Sequence, residues 1–146
     1  KFGNEALSQE QIEKAAELAD VHENIIDFPQ QYETILGERG VTLSGGQKQR
    51  VSIARALAKN PEMLVLDDCL SAVDTHTEHR ILSNLKKVLD GKTSVIISHR
   101  VSSAKLAKQV LVLDQGSIVE KGTHTKLMSQ KGAYFELYQK QLEQTN

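Results

Sequence analysis

Between Gly46 and His99 the period of the apolar residues switches repeatedly, and this switching limits the fold more than any other feature of the chain. The stretch GQKQRVSIARALAK predicts a helix over 46–59, with Val51, Ala54 and Ala58 on one stripe and Asn60-Pro61 as its stop. Met63-Leu64-Val65-Leu66 is too short for a helix and carries no alternation, which suits a strand buried on both faces of a parallel sheet. A second helix, THTEHRILSNLKKVL, follows Asp74 and turns Ile81, Leu82, Leu85 and Leu89 toward a core. After Asp90-Gly91 the run TSVIIS reads as another buried strand ending at His99. Helix, strand, helix, strand in this order predicts an α/β fold with a parallel sheet.

The flanks add helices. Ser8 with Gln11 fits a capping box, and Ile12, Ala15, Ala16 and Ala19 follow at helical spacing, so 9–20 is expected to be an amphipathic helix. A short helix or turn should end near Pro29, and TILGERGVTLSGG reads as loop. Downstream, 102–107 is expected to be a short helix. QVLVLD and SIVEKG form a hairpin around Asp114-Gln115-Gly116, and the tail is helical with a break at Gly132.

At 146 residues the chain is long enough for one domain with a real core, and 39% hydrophobic against 25% charged residues is the composition of a globular rather than a disordered chain overall. A net charge of −1 supplies no field that would gather nucleic acid, so no nucleic-acid partner is expected. Lys48, Arg50, Arg55 and Lys59 share one helix with apolar residues between them and no aromatics, the pattern of a solvated or phosphate-facing surface. The lone Cys69 excludes an internal disulfide and is expected to be a small buried residue. No apolar run reaches the length of a membrane span and KFGNEALSQEQ lacks a signal-peptide layout, so a soluble segment is expected. Its abrupt start reads as the interior of a longer protein.

Two places are suited to chemistry. Leu43-Ser44-Gly45-Gly46-Gln47 opens a helix, where unpaired N–H groups and the positive end of the macrodipole favour a phosphate. The same residues also read as a plain N-cap on a tight loop. Asp67 and Asp68 leave a strand at its carboxyl end, where ligands of α/β sheets bind and where two acids suit a metal ion or a water. Asp67 reads equally as a turn residue. His99 ends the other strand, placed to bond a phosphate oxygen or position a water. His22, His76, His79 and His124 fall on surface turns or helices without ligand spacing, and no metal is assigned to histidine. Gly91-Lys92-Thr93 imitates the end of a P-loop. Lys86 stands where that motif needs glycine, and the segment follows a helix rather than a strand, so it is rejected.

Taken together, LSGGQKQR at 43–50, MLVLDD at 63–68, SAVD at 71–74 and SHR at 98–100 closely resemble the nucleotide-binding domain of ATP-binding cassette (ABC) transporters. In that family they are the signature motif, Walker B, the D-loop and the switch histidine. TILGERG at 34–40 looks like the loop before the signature in exporters, which faces the transmembrane coupling helices. The resemblance implies a P-loop NTPase-like parallel sheet, present in its back portion, with a helical subdomain over 1–60 and the rest of the ATPase core, including a β-hairpin and terminal helices, over 61–146.

The resemblance also implies roles. Asp67 would hold Mg²⁺ and Asp68 would polarise the attacking water. His99 would contact the γ-phosphate. Leu43, Ser44, Gly45, Gly46 and Gln47 would bind ATP held by the opposite subunit, with Asp74 and Ser71 reaching across the dimer interface. The implied partners are ATP, a second nucleotide-binding domain in a homo- or heterodimer, and a transmembrane domain, at the cytoplasmic face of a membrane. The family usually has Glu where this chain has Asp68, and a carboxylate drawn back by about 1 Å can cost about a hundredfold in rate. Such a change often marks the weak site of a heterodimeric exporter, or a regulatory subunit that binds without turnover. The P-loop, the adenine-stacking aromatic and the glutamine loop lie upstream of Lys1 in the family, so this segment alone is expected to bind ATP poorly and hydrolyse none.

Overall fold

The computed structural model describes residues 7–37 and 40–145, and it divides into two compact units, one through Ser94 and one from Val95. In the first, α1 (Gln9–Leu18) opens on a complete capping box. Ser8 Oγ accepts the Gln11 N–H at 3.3 Å while Gln11 Oε1 accepts the Ser8 N–H at 2.9 Å, so two otherwise unpaired donors are satisfied reciprocally. Its buried stripe is Ala15, Ala16 and Ala19, small side chains that let α1 lie closely on α3 (Gly45–Ala58). Asp20 ends this segment at φ 55°, a left-handed conformation that Asp tolerates better than most residues. Next come α2 (His22–Ile26) and a 3₁₀ turn (Gln31–Glu33), joined by the His22 Nδ1 to Tyr32 hydroxyl contact at 2.7 Å. Burial, with Glu13 and Glu17 nearby, pushes the Tyr32 phenol up to about 12.

Helix α3 buries Ile53, Ala54 and Leu57. The expected stripe of Val51, Ala54 and Ala58 is thus rotated by a residue, because the large Ile53 and Leu57 take the deepest positions and leave Val51 and Ala58 half-buried. Asn60, at φ 46°, and Pro61 end it as predicted. Strand β1 (Met63–Asp67) leads into the irregular segment 68–74 and then α4 (Thr75–Val88). Ile81, Leu82 and Leu85 are buried as expected, whereas Leu89 is half-buried at the helix end and Thr77 and Glu78 take buried places instead.

Strand β2 (Thr93–Ile97) neighbours β1 in a two-stranded parallel pair, which begins with the Thr93 N–H donating to the Glu62 carbonyl. The α/β class is therefore present, but the expectation of strands covered on both faces does not hold within this chain. In β1, Leu64 and Leu66 are 5% exposed while Met63 and Val65 are 55% exposed. An apolar run can be buried on two sides only where two layers cover it, and here one face is covered.

The second unit is organised by a hairpin. After α5 (Val101–Ala104), β3 (Val110–Asp114) and β4 (Ser117–Gly122) pair antiparallel with a bulge after Val112. Gln115 and Gly116, both with positive φ, make a two-residue turn. The expected helix at 102–107 is one turn long and begins a residue earlier. Helices α6 (His124–Gln130) and α7 (Ala133–Thr145) pack on the hairpin, so that Val101, Val110, Leu127 and Tyr134 form a core. The Glu120 carboxylate of β4 accepts the N–H groups of Ala133 and Tyr134 at 2.9 and 3.0 Å, capping α7 from outside its own sequence. Gly132 leaves room for this approach: a side chain there would push the flexible Glu120 carboxylate aside and loosen the cap.

Candidate functional site

The first unit brings three of the expected positions together. Ser44 caps α3 with a second full capping box, the Gln47 N–H donating to Ser44 Oγ at 3.2 Å and the Ser44 N–H to Gln47 Oε1 at 2.9 Å. Leu43 is buried and anchors the entry, while Ser44 and Gly45 are exposed. Gly46 answers to the fold itself: a Cβ there would lie 2.9 Å from the Ala72 carbonyl oxygen, so the residue is small because the 68–74 segment passes over it. Access for a ligand is the role expected of both glycines. The structure gives Gly46 an additional packing reason.

That segment carries the acids. Asp67 is exposed at the end of β1, and Asp68 follows at φ 41°, a left-handed conformation open to Asp and Asn. Among the described residues neither carboxylate is engaged by a hydrogen bond or ion pair, while the Asp68 carbonyl accepts from Ser71 Oγ at 3.1 Å. Asp74 is the N-cap of α4, its Oδ1 accepting the Thr77 N–H at 3.0 Å. The backbone N–H and then the hydroxyl of Thr77 hold the Asp74 carboxyl below the usual carboxylate range. Cys69 is partly rather than fully buried. Burial, followed by Asp68 and Asp67, pushes its thiol up, which makes it a poor nucleophile.

No group of three or more His, Cys, Asp or Glu residues among those described is placed to cage a metal. Mg²⁺ is commonly held by one or two carboxylates with substrate phosphates and waters, and an exposed strand-end Asp67 fits that mode.

His99 belongs to the second unit, where its side chain is exposed. Gln141 of α7 fixes the backbone around it, donating from Nε2 to the His99 carbonyl and accepting the Val101 N–H at 2.9 Å. Of the exporter-like loop, Gly37 and Gly40 are described, whereas Glu38 and Arg39 lie outside the described residues.

Sequence reasoning missed the residues that hold these parts in place. Gln49 bonds Ser71, Ala72 and Asp68. Asp20 accepts from Arg80 and, through its carbonyl, from Arg50. Gln49 lies one helical turn after Gly46, which places the two on one face of α3, and this spacing was the available signal.

A helix N-terminus suited to an anion thus lies beside strand-end carboxylates in an α/β framework. A family model described as ABC transporter matches residues 2–71. The multidrug resistance-like ATP-binding protein MdlA of Buchnera aphidicola is 51% identical over 99% of this chain and 25% of its own length. MdlA of Escherichia coli is 51% identical over 92% of the chain and 23% of its own, and the multidrug resistance protein pgp-1 of Caenorhabditis elegans 47% over 94% and 10%. Among solved structures, a bacterial Atm1-family ABC exporter with ATP bound superposes with a TM-score of 0.88 at 42% identity, covering 97% of this chain and 25% of that one. The chain belongs to the ABC transporter family, as sequence of an exporter-type nucleotide-binding domain. It spans about a quarter or less of the length of these relatives.

Proposed function

We propose that this chain is part of the ATP-driven motor of an ABC exporter, in which ATP held by an opposing nucleotide-binding domain presents its γ-phosphate to Ser44, Gly45, Gly46 and Gln47. The observation that carries this reading is the capped α3 N-terminus, with exposed Ser44 and Gly45 directly against the segment that bears Asp68 and Asp74. Free N–H groups, the macrodipole and a hydroxyl converge there on one anion. Asp67 would hold Mg²⁺, which supplies charge neutralisation on the phosphates when bound. At the other ATP of the pair, held on this chain's own side, Asp68 would polarise the attacking water and His99 would contact the γ-phosphate, while Asp74 and Ser71 would reach across the dimer interface. ATP-driven closure of the two domains is passed to a transmembrane domain, which moves the substrate. The relative solved with ATP bound supports the nucleotide, and the multidrug names of the relatives support export.

A second reading is supported by Asp68 itself: a site that binds nucleotide and closes without turning it over, paired with a competent site in a heterodimer. Measuring ATP hydrolysis by the purified full-length protein decides between them. Turnover that is lost on replacing Ser44 with Arg supports the motor reading, and brisk turnover as a homodimer contradicts the degenerate-site reading. Tight ATP binding with no turnover supports the second.

A further inference from the structure

We propose that Gln49 is a positioning residue that ties the phosphate-facing end of α3 to the backbone carrying Asp68 and Asp74. The inference rests on the motor reading above. The Gln49 amide is nearly saturated by this one segment: Nε2 donates to Ser71 Oγ at 2.8 Å and to the Asp68 carbonyl at 3.4 Å, and Oε1 accepts the Ala72 N–H at 2.9 Å. Ser71 Oγ in turn donates to the Asp68 carbonyl at 3.1 Å, closing a ring of three groups, with the Ala72 N–H held beside it on the same amide.

The segment is held in part by its buried Leu70 and Val73 and by the Val73 N–H donating to the Leu70 carbonyl at 3.1 Å, and it carries no helix or strand. It is a series of turns between β1 and α4, with Asp68 in a left-handed conformation that its neighbours must enforce. Two contacts from α3 do so: Gly46, which lets Ala72 lie against the helix, and Gln49 one turn further on. A phosphate drawn onto Ser44 and Gly45 pulls on the same rigid helix that Gln49 shares. The amide therefore transmits phosphate contact at one end of α3 to the placement of Asp68 and of the α4 N-cap Asp74. Gln49 itself touches neither phosphate nor water in this scheme.

The test uses the full-length protein and three variants: Gln49→Met, which keeps length without the amide, Ser71→Ala, and the double variant. Gln49→Met is expected to lower kcat for ATP hydrolysis about tenfold, with KM for ATP within about twofold of the parent, because orientation is lost and binding is not. The double variant should be no slower than Gln49→Met alone, since both remove one shared ring. Amide exchange at Ala72 should quicken about tenfold in Gln49→Met while that of Leu57, inside α3, stays unchanged. An unaltered kcat, a loss seen wholly in KM, or additive effects in the double variant overturns the inference, as does unchanged exchange at Ala72. Should Gln49→Met fail to fold, Ser71→Ala alone must lower kcat about threefold and quicken Ala72 exchange, and failing either overturns it too. A parent protein with no ATP turnover overturns the motor reading and the catalytic part of this inference together, while Ala72 exchange still tests the tie.

Discussion

Arg80 of α4 places Nη2 2.7 Å from the Asp20 carboxylate, across sixty residues of sequence, and so pins the left-handed end of α1 to the helix that follows the acidic segment. Arg50 of α3 reaches the same residue through its carbonyl, so three helices meet on one aspartate. Asp20→Asn keeps the tolerance for φ 55° and removes the charge, and it is expected to cost about 1 kcal/mol. Asp20→Ala also loses that tolerance and should cost about 2–3 kcal/mol. Urea denaturation checks both, and raising salt should shrink the Asn effect because the Arg80 side chain is half exposed.

Gly46→Ala places a methyl 2.9 Å from the Ala72 carbonyl oxygen, a backbone atom that cannot rotate away. The segment must move, at about 1–3 kcal/mol. Gly45→Ala meets only the Ala72 methyl at 3.5 Å and should be nearly neutral for stability. Thermal unfolding of the two variants side by side separates them, and a smaller loss for Gly46 than for Gly45 contradicts the packing role.

Asp68→Glu sets two effects against each other. The added methylene returns the carboxylate by about 1 Å, which is worth up to about a hundredfold in rate. The left-handed backbone at φ 41° suits Asp better than Glu by about 1 kcal/mol, a loss of roughly fivefold at most. Reach wins, and ATP turnover by the full-length protein is expected to rise about tenfold or more. No gain on this substitution indicates that the carboxylate does not take part in turnover.

In the second unit the His124 Nδ1 meets the Tyr134 hydroxyl at 2.9 Å, and burial, then Lys105, lowers the pKa of His124. A histidine whose folded pKa is depressed adds stability that is full above its unfolded pKa, near 6.5, and that is lost as pH falls through the folded value. The hairpin and its two helices should therefore weaken as pH drops from about 6.5, and His124→Gln should flatten that slope. Denaturation midpoints between pH 5 and 7.5 provide the check, and parallel slopes for parent and variant contradict it.

Local signals were legible in the chain because they are local. The Ser8–Gln11 capping box, the Ser44 N-cap, the Asn60-Pro61 stop and the Gln115-Gly116 turn depend on residues within four positions of one another, and each forms where its spacing puts it. Strand burial was not legible, because MLVL states how apolar a strand is and not how many layers lie on it; Met63 and Val65 show the difference. The same limit hid Gln49, Asp20 and Gln141. Each is a polar side chain whose partner is brought near only by tertiary folding, across 23, 60 and 42 positions for the Ala72, Arg80 and His99 contacts. The candidate site was thus readable as a set of residue types at the ends of elements, and its supports were not.

The central claim, that the α3 N-terminus receives the terminal phosphate of ATP, is tested most directly by photolabelling the full-length protein with an ATP analogue carrying an azido group on its γ-phosphate. The account predicts Mg²⁺-dependent label on the peptide containing Ser44–Gln47, competed by ATP and lost in Ser44→Arg. Label confined to other peptides, with none on 44–47 at saturating analogue, would contradict it.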